Sequence, residues 1–70
     1  MTKLFEDWLV ELAKNESFST LEKLPDYLDS HYAKTGNRIA ERKRLAAYFQ
    51  NHTPRTPFSL QVLEVILGGG

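Results

Sequence analysis

The apolar positions at the start of the chain follow a helical period. Large apolar residues recur at i, i+1, i+4, i+5 and i+8, at Leu4, Phe5, Trp8, Leu9 and Leu12, and this spacing marks one face of a helix. Thr2 fits the N-cap position of that helix. Charged residues fill the opposite face, where we expect Val10 and the Glu6–Asp7 pair to be exposed to solvent.

The second helical segment is interrupted by a proline. Ser19 and Glu22 have the spacing of a capping box, but Pro25 would lie too deep inside a helix that began at Ser19. We therefore predict a short helical turn at residues 20–23 and a new helix from Pro25 to near Gly36. Its apolar face holds Leu24, Leu28 and Tyr32, and its margin holds Tyr27 and His31.

A third helix is predicted over "RIAERKRLAAYFQNH", with Asn37 as its N-cap. Its apolar face comprises Ile39, Leu45, Ala46 and Phe49, with Tyr48 on the flank. The stretch "TPRTP" ends this helix, because two prolines in four residues do not allow it to continue.

The final apolar segment, residues 57–67, fits either a helix or a strand. A helix would have Thr56 as its cap, Pro57 at its first position and Gly68 after its end. "FSLQV" alternates as a strand does, but no other segment offers a strand to pair with, and the helix is favoured. The apolar arc of that helix would cover about 220°, roughly twice the usual stripe.

Small size and this wide apolar arc together predict a dimer. Seventy residues form one domain, residues 1–70, and domains this small often need disulfides, a metal or a partner subunit. The chain has no cysteine, and its two histidines lack metal-ligand spacing. The sequence therefore predicts an all-α domain of three to four short helices that dimerises through its C-terminal segment. The expected interface residues are Leu60, Leu63, Val65, Ile66 and Leu67.

Charge is zero overall but differs between the two halves of the chain. Residues 1–32 carry three Lys and seven Asp or Glu, and residues 33–70 carry six Lys or Arg and two Glu. Basic and aromatic residues of the second half are types that anchor interfaces. The partner-binding candidates are Arg38, Arg42, Arg44, Tyr48 and Arg55.

These features favour a non-enzymatic protein that binds and modulates a larger protein, in the manner of small adaptors or inhibitors encoded by phages and plasmids. The alternative is a small dimeric DNA-binding regulator that uses the basic helix 38–44, which includes Lys43. No constellation of nucleophile, base and orienting group indicates catalysis, and no cofactor or metal is predicted. The apolar tail is too short to span a bilayer, no signal peptide is recognisable, and a cytoplasmic location is expected.

Overall fold

Four α-helices form the fold. The computed structural model describes residues 4–68, in which α1 spans Phe5–Asn15, α2 Phe18–Thr35, α3 Arg38–His52 and α4 Pro57–Ile66. Each helix contacts the other three. The radius of gyration is 11.2 Å, close to the value of about 11 Å expected for a folded chain of this length. The all-α prediction is confirmed, and the last segment is a helix.

The first helix is buried over a wider arc than its sequence pattern predicts. Leu9 and Leu12 are buried as expected, but Val10 and Glu6 are each only 8% exposed. The prediction that these two residues face solvent was wrong, because α2, α3 and α4 all pack against α1. Thr2, the expected N-cap, lies outside the described residues, and the N-cap position is held by Leu4.

The second helix runs through Pro25 without interruption. It begins after Ser17, whose side chain accepts a hydrogen bond from the backbone N–H of Thr20 at 3.4 Å. The predicted break before Pro25 and the cap at Ser19 were therefore wrong. Three residues that span the proline, Leu24, Leu28 and Tyr32, are all buried on one face, and this packing offsets the backbone bond that proline removes.

The third and fourth helices begin at their predicted caps. The Asn37 side chain accepts from the N–H of Ala40 at 3.1 Å, and Thr56 accepts from the N–H of Ser59 at 3.0 Å. Ile39 was expected in the core but is 62% exposed, whereas Leu45, Ala46 and Phe49 are buried as predicted. Gly68 follows α4 with a φ of +99°, in the region that favours glycine.

The core lies where the four helices meet. Its most deeply buried large side chains come from all four helices, and they are Leu9, Leu24, Leu45, Phe49, Val62 and Ile66. The apolar tail is thus covered on its inner face by its own chain. Leu60 and Leu67 remain 42% and 52% exposed on its outer face.

Candidate interaction surfaces

A network of ion pairs joins α3 to α1 and α2. The Arg44 guanidinium donates to Glu6 at 2.7 Å and to Glu41 at 2.7 and 2.5 Å. The Glu6 and Glu41 side chains are each only 11% exposed, whereas Arg44 is 47% exposed. His31 of α2 completes the network through its Nε2, which lies 2.5 Å from the Glu41 carboxylate. Arg44 therefore compensates two nearly buried carboxylates.

The network lowers the pKa values of both carboxyl groups. Hydrogen bonds from Arg44 and then from His31, set against the cost of burial, hold the pKa of Glu41 at about 2. The hydrogen bond from Arg44 also lowers the pKa of Glu6. The two carboxylates in turn raise the pKa of Arg44. All three groups are therefore charged at neutral pH, and each depends on the others.

Aromatic rings pack against the histidine of this network. The His31 ring stacks on Phe5, with ring centres 4.2 Å apart, and Phe5 stacks in turn on Trp8 at 5.4 Å. Trp8 meets Tyr27 edge to face at 5.4 Å. His31, which the sequence places at the margin of the apolar face of α2, thus packs against an aromatic ring of α1.

Three of the five partner-binding candidates form an ion pair or a hydrogen bond within the chain. Besides Arg44 in the network, Arg38 pairs with Asp29 at 3.1 Å. The Tyr48 hydroxyl donates to Asp7 at 2.6 Å, and this bond raises the pKa of Tyr48. Arg42 and Arg55 make no ion pair with any residue in the range 4–68. These two cations are the candidates whose charge is not already matched by a neighbouring carboxylate.

An open cleft lies between α2, the start of α3 and the end of α4. Its volume is about 330 Å³, and its walls include Leu28, Tyr32, Arg42 and Val65. Arg38 and its partner Asp29 stand at its polar side. The Tyr32 hydroxyl is buried and has no hydrogen-bond partner within the described part of the chain.

Three leucines lie along the outer side of α4 and its C-terminal end. Leu60 and Leu63 of α4 and Leu67, its C-cap, are spaced i, i+3 and i+7, which is the spacing of residues along one side of a helix. We call them the leucine stripe. Leu63 is partly buried against the core, whereas Leu60 and Leu67 are exposed. Of the other predicted interface residues, Val65 is partly buried and Ile66 is only 1% exposed within its own chain.

The role of Glu6 was not recognisable from the sequence. Glu41 and Arg44 are three residues apart on one helix, so their pairing follows from spacing alone. Glu6 lies 38 residues from Arg44, and only the packing of α1 on α3 brings them together. The one sequence signal was that Glu6 directly follows Phe5, a residue of the apolar face of α1.

No protein family, curated protein or solved structure that was compared with this chain matches it. Within residues 4–68, no helix is long and apolar enough to cross a membrane. The same residues contain no group of three or more acidic or histidine side chains placed to hold a metal ion.

Proposed function

We propose that this chain is a non-enzymatic interaction protein that forms a homodimer through α4 and binds and modulates a larger protein. The leucine stripe is the observation that carries the proposal. Leucines at i, i+3 and i+7 on an exposed helix face have the spacing by which helices pack on one another. In this chain the stripe lies on the outer side of the helix whose inner side completes the core.

Burial of the stripe supplies a driving force for association. Fully burying an exposed leucine contributes about 1.5–3 kcal/mol. Leu60 and Leu67 are about half exposed, so each retains roughly half of that amount, about 1 kcal/mol. A two-fold interface places the same residues on both subunits and doubles the contribution. Leu63, which is partly buried, lies between them and fills the centre of the contact.

Partner binding is assigned to Arg42 and Arg55, the two candidate cations that form no ion pair within the described residues 4–68. Arg42 lies beside the cleft, and Arg55 lies beside Leu60 and Leu63 in the loop that precedes α4. Arginine is enriched at protein interfaces, since its planar guanidinium forms paired hydrogen bonds to carboxylates. A larger protein with acidic residues beside apolar ones is the partner that suits Arg42 and Arg55 and their apolar neighbours.

Sedimentation equilibrium across the micromolar range tests the dimer. We expect the wild-type chain to sediment as a dimer and Leu60→Glu to sediment as a monomer. Gln61→Glu is the matched control, because it adds the same charge to an exposed neighbouring position outside the stripe. A wild-type chain that stays monomeric at every concentration would disprove the dimer.

Affinity capture with charge-reversed variants tests partner binding. The tagged wild-type chain should retain one larger protein in stoichiometric amount, and a double variant with Arg42→Glu and Arg55→Glu should lose it. Lys43→Glu is the control, since it reverses an exposed charge next to Arg42. Equal retention by all three chains, or by none, would contradict the assignment.

The DNA-binding alternative predicts a different response to the same variants. Phosphate contacts contribute mainly through charge, so Lys43→Glu and Arg42→Glu should weaken a salt-dependent shift of duplex DNA to similar extents. Arg38 pairs with Asp29, and Arg44 pairs with two glutamates. These ion pairs leave fewer cations on α3 to contact phosphates, which favours the protein-binding proposal. A strong shift at low salt would favour the alternative.

A further inference from the structure

Among residues 4–68, the cleft between α2, α3 and α4 combines apolar walls with an excess of positive charge. Leu28, Val65 and Ile66 form its apolar side. Arg38, Arg42 and Asp29 are its charged residues, and together they leave one net positive charge. The Arg42 guanidinium approaches the end of α4, since a Cβ atom on Gly68 would lie 3.4 Å from its Nη1. The cleft thus suits a ligand with one negative charge.

Tyr32 lines the cleft and carries a hydroxyl that can donate a hydrogen bond. The residue is 5% exposed, and its hydroxyl is buried with no partner among residues 4–68. A buried hydroxyl without a partner is costly, and such groups in folded proteins call for an explanation. Burial raises the pKa of Tyr32, so the hydroxyl keeps its proton at neutral pH and can donate a hydrogen bond to an anion.

We propose that this cleft binds a carboxylate attached to an apolar body. The Arg42 guanidinium pairs with the carboxylate, and the Tyr32 hydroxyl donates a hydrogen bond to one of its oxygens. The apolar body packs against Leu28 and Val65. Because the hydroxyl is buried in the structure, the proposed binding includes a side-chain movement that exposes it to the ligand.

A carboxylate of this kind has two sources, a free organic acid or an acidic residue of a protein partner. The second source rests on the proposed function, whereas the first does not. A volume of about 330 Å³ accommodates a small organic acid or one or two side chains of a peptide. The chemistry at Arg42 and Tyr32 is the same for both.

The experiment is a titration of the uniformly ¹⁵N-labelled chain, followed by amide chemical shifts. The probe is 3-phenylpropionate, and 3-phenylpropionamide is its uncharged counterpart. We expect saturable shifts with the acid, concentrated at residues 28–42 and 65–68, and at least tenfold weaker binding of the amide. No saturable shift with the acid, or equal binding of acid and amide, would overturn the proposal.

Three variants assign the contacts. Arg42→Gln should weaken binding of 3-phenylpropionate at least tenfold, and Tyr32→Phe should weaken it several-fold. Tyr32→Phe should also raise the melting temperature of the free protein, because it removes the unpartnered hydroxyl. Arg55→Gln, which lies outside the cleft, should bind as the wild type does. Unchanged binding by Arg42→Gln and Tyr32→Phe would place the ligand elsewhere and refute the site.

A second arm distinguishes the two sources. An acetylated and amidated peptide with a single Glu between leucines is compared with the same peptide carrying Gln. If the Glu peptide binds at least tenfold more tightly than 3-phenylpropionate, a protein partner is the source. If the free acid binds as well as the peptide, a small organic acid is the source. The site then stands even where affinity capture returns no partner protein.

Discussion

Replacing Arg44 with glutamine tests the ion-pair network most directly. The change removes the cation shared by Glu6 and Glu41 and leaves a shorter, uncharged polar side chain. The two carboxylates, each 11% exposed, would remain close together without it. Removing one partner of a fully buried ion pair costs about 3–5 kcal/mol, and exposed pairs contribute about 0–1 kcal/mol.

Exposure of the guanidinium places the expected cost between these limits. Arg44 is 47% exposed, so water screens part of its interaction, and Glu41 retains its contact with His31. We expect the free energy of unfolding to fall by about 2 kcal/mol. With a urea dependence of about 1 kcal/mol per molar for a small domain, the unfolding midpoint should fall by about 2 M.

Urea unfolding followed by the fluorescence of Trp8, the single tryptophan, measures this cost. Arg38→Gln is the matched control on the same helix. Its partner Asp29 is 61% exposed and Arg38 itself is 59% exposed, so the control should cost less than about 1 kcal/mol even with its contact to the Tyr32 ring. If Arg44→Gln costs no more than Arg38→Gln, the network does not stabilise the fold.

Three further predictions concern acid stability and backbone conformation. The pKa of Glu41 is lowered to about 2 from its ordinary value of 4.5, so its contribution is present above pH 4.5 and is lost as the pH falls toward 2. Urea midpoints measured at about pH 6 and about pH 3 should therefore differ more for the wild type than for Arg44→Gln. Pro25→Ala should raise the free energy of unfolding by about 1–2 kcal/mol, since it restores an N–H inside α2, and unchanged thermal unfolding would contradict this. Glu16→Gly should raise it by about 0.5–1 kcal/mol because Glu16 has a φ of 51°, whereas Glu16→Ala, which keeps the strain, should not.

Local signals in the sequence predicted much of the fold. Asn37 and Thr56 were recognised as caps because a side-chain oxygen at that position bonds to a backbone N–H three residues on, a purely local interaction. Gly36 was recognised as the end of α2 because glycine readily adopts the left-handed conformation that ends a helix, and its φ is +78°. Each of these signals depends on residues within one helical turn.

The errors arose where distant segments decide the outcome. Pro25 marked a break by local rules, but the buried face of α2 extends across it. Val10 and Glu6 were assigned to solvent because one helix alone does not reveal how many neighbours will cover it. The three leucines of the stripe were part of a predicted interface of five residues. The periodicity of the sequence did not indicate that Ile66 would be buried in the core while Leu67 remained exposed.

The bond between Glu6 and Arg44 has a consequence for folding kinetics. It joins positions 38 residues apart, so it forms only after the first and third helices have docked. That docking carries the entropic cost of closing the intervening chain segment. Interactions that are absent from the transition state for folding act mainly on the unfolding rate. We therefore expect loss of Arg44 to accelerate unfolding and leave the refolding rate nearly unchanged, as stopped-flow measurements would reveal. We thus expect this contact to act on the unfolding rate, whereas the helix caps influence how readily the helices first form.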